Sequence, residues 1–108
     1  ILRGAPASPG VVKGRARVIL DPFLGAGMET GDILVAPITD PGWTPLFLTA
    51  GGLVMEAGGM MSHGAVVARE YGIPAVVGVT GATRAIRTGD IIQVDGSAGQ
   101  VRVLERKA

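Results

Sequence analysis

Short apolar runs, separated by glycine, proline and aspartate, recur along this chain of 108 residues. Runs of this kind, rich in β-branched side chains and bounded by turn residues, are typical of strands. In the first run, charged Arg15 and Arg17 alternate with Ala16 and Val18, which is the period of a strand. The predicted strands are Val11 to Leu20, Ile33 to Ala36, Leu53 to Met55, Ala75 to Val79, Ile91 to Val94 and Val101 to Leu104, the last two joined by a hairpin at 96–99.

Helices are indicated by residues that favour helix ends. Thr44 is an N-cap residue type and is followed by a proline, which favours the first helical position. Ser62 can cap a further helix, and Gly72 ends it. The helices predicted in this way cover 45–50, His63 to Tyr71 and, from a weaker pattern, Ala82 to Ile86.

A short segment of the chain is echoed farther along it. The run Thr30-Gly31-Asp32-Ile33-Leu34-Val35 resembles Thr88-Gly89-Asp90-Ile91-Ile92, and both predict a turn that leads into a strand. Two interpretations stay open, namely independent use of the same turn chemistry and an internal duplication. Neither indicates a function.

Size and composition indicate a single domain over residues 1–108. Hydrophobic residues make up 47 %, but Phe, Trp and Tyr only 4 %, so the core must be aliphatic. A net charge of +1 gives no electrostatic footprint for nucleic acid, and the Arg102 to Lys107 tail is expected to be a solvated terminus. Apolar runs are too short for a membrane span, and the lack of cysteine fits a cytoplasmic location.

No phosphate-binding loop of the GxxxxGK[ST] type is present, although the chain has 18 glycines. The chain also begins at Ile1 rather than at a methionine. We therefore expect a piece of a larger multidomain protein, with any nucleotide site in another part of that protein.

The single histidine, His63, follows Gly58 and Gly59 and stands at the predicted start of a helix. Glycines allow close backbone approach to a ligand, and a helix N-terminus favours a phosphate dianion. The same positive helix end disfavours imidazolium, so a neutral ring with a free lone pair is expected, as a phosphoryl-accepting nucleophile requires. A structural hydrogen-bonding role and, with Glu56 or Glu70, a metal site are the alternatives.

The run GGMMSHGAVVAREYGIPAVVG, from Gly58 to Gly78, resembles the phosphohistidine signature of the phosphoenolpyruvate-utilising enzymes. The resemblance extends to Gly31 to Val35, to Thr39 to Phe47 and to the hairpin that follows Gly89-Asp90, so it covers nearly the whole chain. This family includes phosphoenolpyruvate synthase, pyruvate phosphate dikinase and rifampicin phosphotransferase.

The resemblance implies an α/β fold, that of a swivelling β/β/α phosphohistidine domain, strand-rich with two or three short helices. In this family, an ATP-grasp domain phosphorylates the histidine from ATP. The swivelling domain then delivers the phosphoryl group to an acceptor, such as rifampicin or pyruvate, in another domain. His63 would be the catalytic residue here, attacking through Nε2.

The expected partners are therefore the ATP-grasp and acceptor-substrate domains of the same polypeptide. ATP and Mg²⁺ would be used by the parent enzyme, no cofactor or metal would be held by this domain, and the isolated domain would be inactive. A non-catalytic interaction domain of the same fold is the alternative. The intact glycine pair and His63 argue against it.

The candidate phosphate-binding residues next to His63 have structural alternatives. Arg69 would steady the phosphoryl group, or else pair with Glu70 or serve packing. Ser62 would contact phosphate oxygens, or else cap the helix. The full phosphate-binding set is predicted to be Gly58, Gly59, Ser62, Gly64 and Arg69.

Met61 is a departure from the synthases and dikinases, which usually have a threonine at this position for a regulatory kinase. This methionine, together with Gly64, resembles rifampicin phosphotransferase and its synthase-like relatives more closely. For Met60 and Met61, core filling is the default expectation, and a contact surface for docking partners is the alternative.

Overall fold

The computed structural model describes residues 1–20 and 28–106. Within these residues the chain forms eight strands, three short α-helices and a 3₁₀ turn at Pro41–Trp43. The helices are α1 (Thr44–Phe47), α2 (His63–Tyr71) and α3 (Ala82–Ala85). The strands are β1 (Leu2–Arg3), β2 (Ala5–Ser8), β3 (Val11–Val18), β4 (Ile33–Ala36), β5 (Gly52–Met55), β6 (Ala75–Val77), β7 (Ile91–Asp95) and β8 (Gln100–Glu105).

The hydrogen-bonded order of the strands is β1-β8-β7-β3-β4-β5-β6-β2. The four strands β3 to β6 are parallel to one another, whereas β1, β2, β7 and β8 pair antiparallel to their neighbours. The two ends of this order, β1 and β2, are consecutive in the chain and are separated only by Gly4. The N-terminal segment therefore joins both edges of the sheet.

Alternate residues of the parallel strands face two different cores. On β4, Leu34 packs into a cluster with Phe47 and Ala65 of the helices. The adjacent Val35 packs into a second cluster, which contains Ile92 and Val94 of β7 together with residues of β8 and α3. Because both faces of β4, β5 and β6 are buried, these strands are continuous apolar runs. The layers are β, β and α, as the family resemblance predicts.

Most predicted elements are confirmed, with shorter or shifted ends. The first predicted strand ends at Val18 and the fourth at Val77, while the hairpin at 96–99 joins β7 to β8. Thr44 is not the N-cap that we predicted, because helical structure begins earlier. Asp40 caps the preceding 3₁₀ turn by accepting the Gly42 N–H at 2.8 Å.

Strands β1 and β2 are missing from the sequence prediction. Residues 2–8 have no two-residue alternation, and they include Gly4 and Pro6, which are disfavoured inside strands. Their extended conformation follows from pairing with distant partners, as in Leu2 with Val101. Tertiary context thus overrides weak local propensity.

The basic C-terminal segment is largely exposed, as expected of a solvated terminus, but it is ordered rather than a free tail. Arg102 to Glu105 belong to β8, and Arg106 forms an ion pair with buried Asp90 at 3.4 Å. Lys107 lies outside the described residues. Over residues 1–20 and 28–106, no helix has the length and apolarity needed to cross a membrane.

Candidate functional site

The carboxyl ends of β4 and β5 lead into the loops that form the candidate site. Parallel neighbours in a sheet end at the same edge, and ligands of open α/β sheets bind at that edge. The loop after β4 carries Thr39, and the loop after β5 carries Gly58 to Ser62, directly before α2. His63 is thus brought next to Thr39, although the two residues are far apart in sequence.

Gly58 and Gly59 have different roles in the loop before α2. Gly58 has φ +97°, and a Cβ there would lie 3.0 Å from Met55 Cε and from the Ser62 side chain. Gly59 has no positive φ, and a Cβ there would have no neighbour within 4 Å. Gly58 is therefore required by the backbone conformation of the loop, whereas Gly59 gives an open, exposed backbone.

Ser62 occupies the N-cap position of α2 as predicted, but its side chain caps no helical N–H. Its hydroxyl instead donates to the Gly59 carbonyl at 2.7 Å, and its backbone N–H donates to the same oxygen at 3.1 Å. These two bonds close the loop as a tight turn. The first-turn amide groups of α2 are left without a side-chain cap.

The His63 ring is half-buried and is held from two sides. Phe47 of α1 meets it edge to face, with ring centroids 6.1 Å apart and planes at 79°. Thr39 Oγ1 lies 3.3 Å from His63 Nδ1. Among the described residues, no hydrogen bond to Nε2 is formed, so the two ring nitrogens have different environments.

Thr39 and Met55 are components of the site that sequence reasoning missed. Thr39 is only 6 % exposed, and its hydroxyl also lies 3.6 Å from the thioether sulfur of fully buried Met55. Thr39 was part of the family resemblance, but no role was assigned to it. The available signal was positional: Thr39 follows β4 and Met55 ends β5, and these adjacent parallel strands end at the same edge of the sheet.

Gly64 gives the space that these side chains occupy. A Cβ at this position would lie 2.6 Å from Met55 Sδ and 2.8 Å from Thr39 Oγ1. Real Cβ atoms essentially never come so close, so a larger residue at this position would displace the Met55 and Thr39 side chains. Any contact from Gly64 to a phosphate would come from its backbone.

Arg69 is engaged by two backbone carbonyl groups. Its guanidinium donates to Ala7 of β2 at 2.9 Å and to Met60 of the histidine loop. The alternative Arg69–Glu70 ion pair is not among those formed within the described residues. Arg69 thus attaches the loop to the sheet, and its direct contact with phosphate stays a prediction.

Met60 and Met61 are exposed beside the site, at 43 % and 84 %. The default expectation that they fill the core is therefore wrong. Ile38 and Leu48, in the neighbouring segments, are exposed as well. The segments that contribute Thr39, Phe47 and His63 to the site thus carry four exposed apolar side chains.

Glu56, which we weighed as a metal ligand, connects β5 to α3. Its carboxylate accepts the Thr83 hydroxyl at 2.7 Å and the Thr83 N–H at 2.9 Å. The hydrogen bond from the Thr83 hydroxyl lowers the pKa of Glu56 below its ordinary value, and the bond from the Thr83 N–H lowers it further. Within residues 1–20 and 28–106, no three His, Asp or Glu side chains are grouped to hold a metal ion.

Residues 28–99 match the family model described as the mobile domain of PEP-utilising enzymes. The chain is 60 % identical over 101 residues to a rifampicin phosphotransferase of Bacillus cereus, and the match covers 94 % of this chain and 12 % of that protein. It is 50 % identical to a phosphoenolpyruvate synthase of Aeropyrum pernix, with the same two coverages. The chain thus spans about one eighth of these curated relatives.

Among solved structures, the chain is similar to an Enzyme I protein determined in solution by NMR. The TM-score is 0.64 and the sequence identity is 33 %, over 73 % of this chain and 33 % of that one. The similarity supports the β/β/α architecture described above.

Proposed function

The chain belongs to the mobile-domain family of PEP-utilising enzymes, and from this membership we propose that it is a phosphoryl carrier with His63 as the phosphorylated residue. The proposal rests on the different environments of the two ring nitrogens of His63. Thr39 holds Nδ1, whereas no group of the described residues binds Nε2. A ring fixed through one nitrogen and open at the other is suited to nucleophilic attack through the open one.

The loop around His63 favours an anion. The Gly59 carbonyl accepts two bonds from Ser62, and the Met60 carbonyl accepts one from Arg69, so both oxygens are occupied by the protein. The amide groups of 63–65 have no acceptor within the helix, and the dipole of α2 adds partial positive charge there. An incoming phosphoryl group would meet donors rather than acceptors.

The proposed reaction has two transfers. In the first, the Nε2 lone pair forms an N–P bond while the P–O bond to the departing phosphate oxygen of ATP breaks. In the second, the acceptor oxygen, after its proton has been removed in the acceptor domain, forms a P–O bond while the N–P bond breaks, and neutral imidazole is regenerated. Thr39 holds the ring orientation through both steps by its contact with Nδ1.

Donor and acceptor would be held by other parts of the protein. We propose an ATP-grasp domain that uses ATP and Mg²⁺, and an acceptor domain that binds a compound such as rifampicin or pyruvate. The stronger similarity to rifampicin phosphotransferase favours the first acceptor. The exposed apolar side chains of Ile38, Leu48, Met60 and Met61 would contact these domains, and a cytoplasmic location stays a prediction.

The test is to incubate the full-length protein that contains this chain with Mg²⁺ and ATP labelled in its phosphates. We expect label on the peptide that contains His63, lost in acid and retained in base, as for phosphate on nitrogen. Thr83→Ala, a hydroxyl deletion away from His63, is the control and should label normally.

An adduct that survives both acid and base would place phosphate on a serine or threonine and contradict the proposal. Absence of any adduct in a protein that hydrolyses or binds ATP would favour the alternative, a non-catalytic interaction domain of the same fold.

A further inference from the structure

We propose that Met55 is a positioning residue that selects the tautomer of His63 by accepting the hydroxyl proton of Thr39. The three groups form a chain from Met55 Sδ to Thr39 Oγ1, at 3.6 Å, and on to His63 Nδ1, at 3.3 Å. The first of these distances is within the range for a hydrogen bond to sulfur. The Thr39 oxygen is thus a shared partner of a thioether and an imidazole.

The direction of the bonds follows from counting protons. A threonine hydroxyl has one proton to donate, and a thioether sulfur accepts only. If Thr39 donates to Met55, its oxygen lone pairs face Nδ1 and require a proton there. If Thr39 donates to Nδ1 instead, the sulfur faces an oxygen without a proton and makes no bond. Only the first arrangement satisfies both contacts, and it leaves the lone pair on Nε2.

Close packing holds the sulfur in this position. Met55 is the last residue of β5 and is fully buried. Its thioether lies where a Cβ of residue 64 would be, since that atom would come within 2.6 Å of Sδ. Gly64 therefore leaves room for the sulfur next to Thr39.

The catalytic consequence rests on the proposed function, whereas the tautomer does not. If His63 accepts phosphoryl through Nε2, the Nδ1–H tautomer is the reactive form. A methionine that increases the population of this form would increase the rate of phosphorylation without touching the phosphoryl group.

The test is nitrogen NMR of the ¹⁵N-labelled chain at a pH where the His63 ring is neutral, comparing Met55→Leu with the unchanged chain. Leucine keeps apolar bulk but removes the acceptor. Met28→Leu is the matched control, because Met28 packs half-buried against the same cluster as Met55. Backbone amide spectra establish that each variant is folded.

In the unchanged chain and in Met28→Leu, we expect Nδ1 to resonate as the protonated nitrogen and Nε2 as the unprotonated one. In Met55→Leu, Thr39 turns its proton toward Nδ1, and the Nε2–H form becomes the majority. Phosphorylation of the full-length variant should be slower by about two- to tenfold, the range that one hydrogen bond commands.

Thr39 variants keep the proposal testable if Met55→Leu does not fold. Thr39→Val should lose the Nδ1–H preference, and Thr39→Ser should retain it. An unchanged tautomer in Met55→Leu, or an Nε2–H majority in the unchanged chain, would overturn the role of Met55. If the tautomer responds as expected but His63 is never phosphorylated, the positioning role stands and the carrier function fails.

Discussion

The turns that begin β4 and β7 use their polar groups very differently from the loops that surround His63. In the two Thr-Gly-Asp turns, Asp32 and Asp90 each accept the N–H three residues earlier at 3.0 Å. Each also pairs with an arginine, Arg17 at 3.2 Å and Arg106 at 3.4 Å. The turns thus satisfy their polar groups within the protein, whereas the histidine loop leaves donors and a ring nitrogen for a ligand. On β4, the Asp32 turn stands at the amino end and the candidate site at the carboxyl end.

The largest expected effect comes from removing the His63 imidazole, whose Nε2 is open. His63→Ala should reduce acid-labile phosphorylation of the full-length protein to background. The free energy of unfolding of the chain should fall by only about 1 kcal/mol, from the lost contact with Phe47 and the bond to Thr39. Label retention and urea unfolding measure the two quantities. A large loss of stability would mean that the ring is mainly a structural hydrogen-bonding group.

In the two Thr-Gly-Asp turns, we expect substitutions to lower stability and to leave phosphorylation unchanged. Asp90→Ala should lower the free energy of unfolding by about 3 kcal/mol, because it removes a fully buried carboxylate and leaves the part-buried Arg87 N–H without its acceptor. Asp32→Ala should cost about 2 kcal/mol, since Asp32 is slightly exposed. Urea unfolding measures both. The folded fraction of each variant should still be phosphorylated at the normal rate, and a lower rate would show that turns and site are coupled.

The two adjacent loop glycines show the same contrast between a residue that stabilises the fold and one that is open to a ligand. Gly58→Ala should cost about 1–3 kcal/mol, because alanine is strained at φ +97° and meets Met55 and Ser62. Gly59→Ala has open space and should change stability by less than about 0.5 kcal/mol. Bulkier Gly59→Val should slow phosphorylation while the chain stays folded. Normal labelling of that variant would mean that phosphate does not approach this backbone.

The smallest effect is a pH dependence at Glu56. Its pKa is lowered in the folded chain, so the carboxylate stabilises the fold above the ordinary carboxyl value of 4.5. This contribution is lost as the pH falls below that value toward the lowered folded pKa. Glu56→Gln should therefore be less stable near neutral pH, with a difference that closes in acid. Glu70→Gln, on the exposed part of α2, is the control for urea unfolding.

Much of the fold follows from local signals in the sequence. The buried strands β4, β5 and β6 are apolar on both faces, and the helix from His63 to Tyr71 has its exact bounds marked by Ser62 and Gly72. The family signature gave the layer arrangement. The two strands within residues 2–8 could not be predicted from local signals, because their extended structure depends on partners far along the chain.

The candidate site was predicted less completely than the fold. His63 and its glycines stand in one continuous signature, which the sequence displays directly. Thr39 and Met55 contact each other and the ring across loops, so their roles depend on strand register. Ser62 and Arg69 have the predicted positions, but the direction of their hydrogen bonds requires coordinates.

The N-terminal segment that joins both edges of the sheet has a consequence for the order of folding. Leu2 pairs with Val101 and Ala5 with Val77, so β1 and β2 need partners that lie far along the chain and are synthesised after them. Contacts of such long sequence separation form slowly, because the loop entropy is lost before the pairing stabilises the chain. Until β8 exists, the edge of β7 is an unpaired strand that can associate with other chains. Pairing of β8 with β7 and of β1 with β8 thus covers this exposed edge.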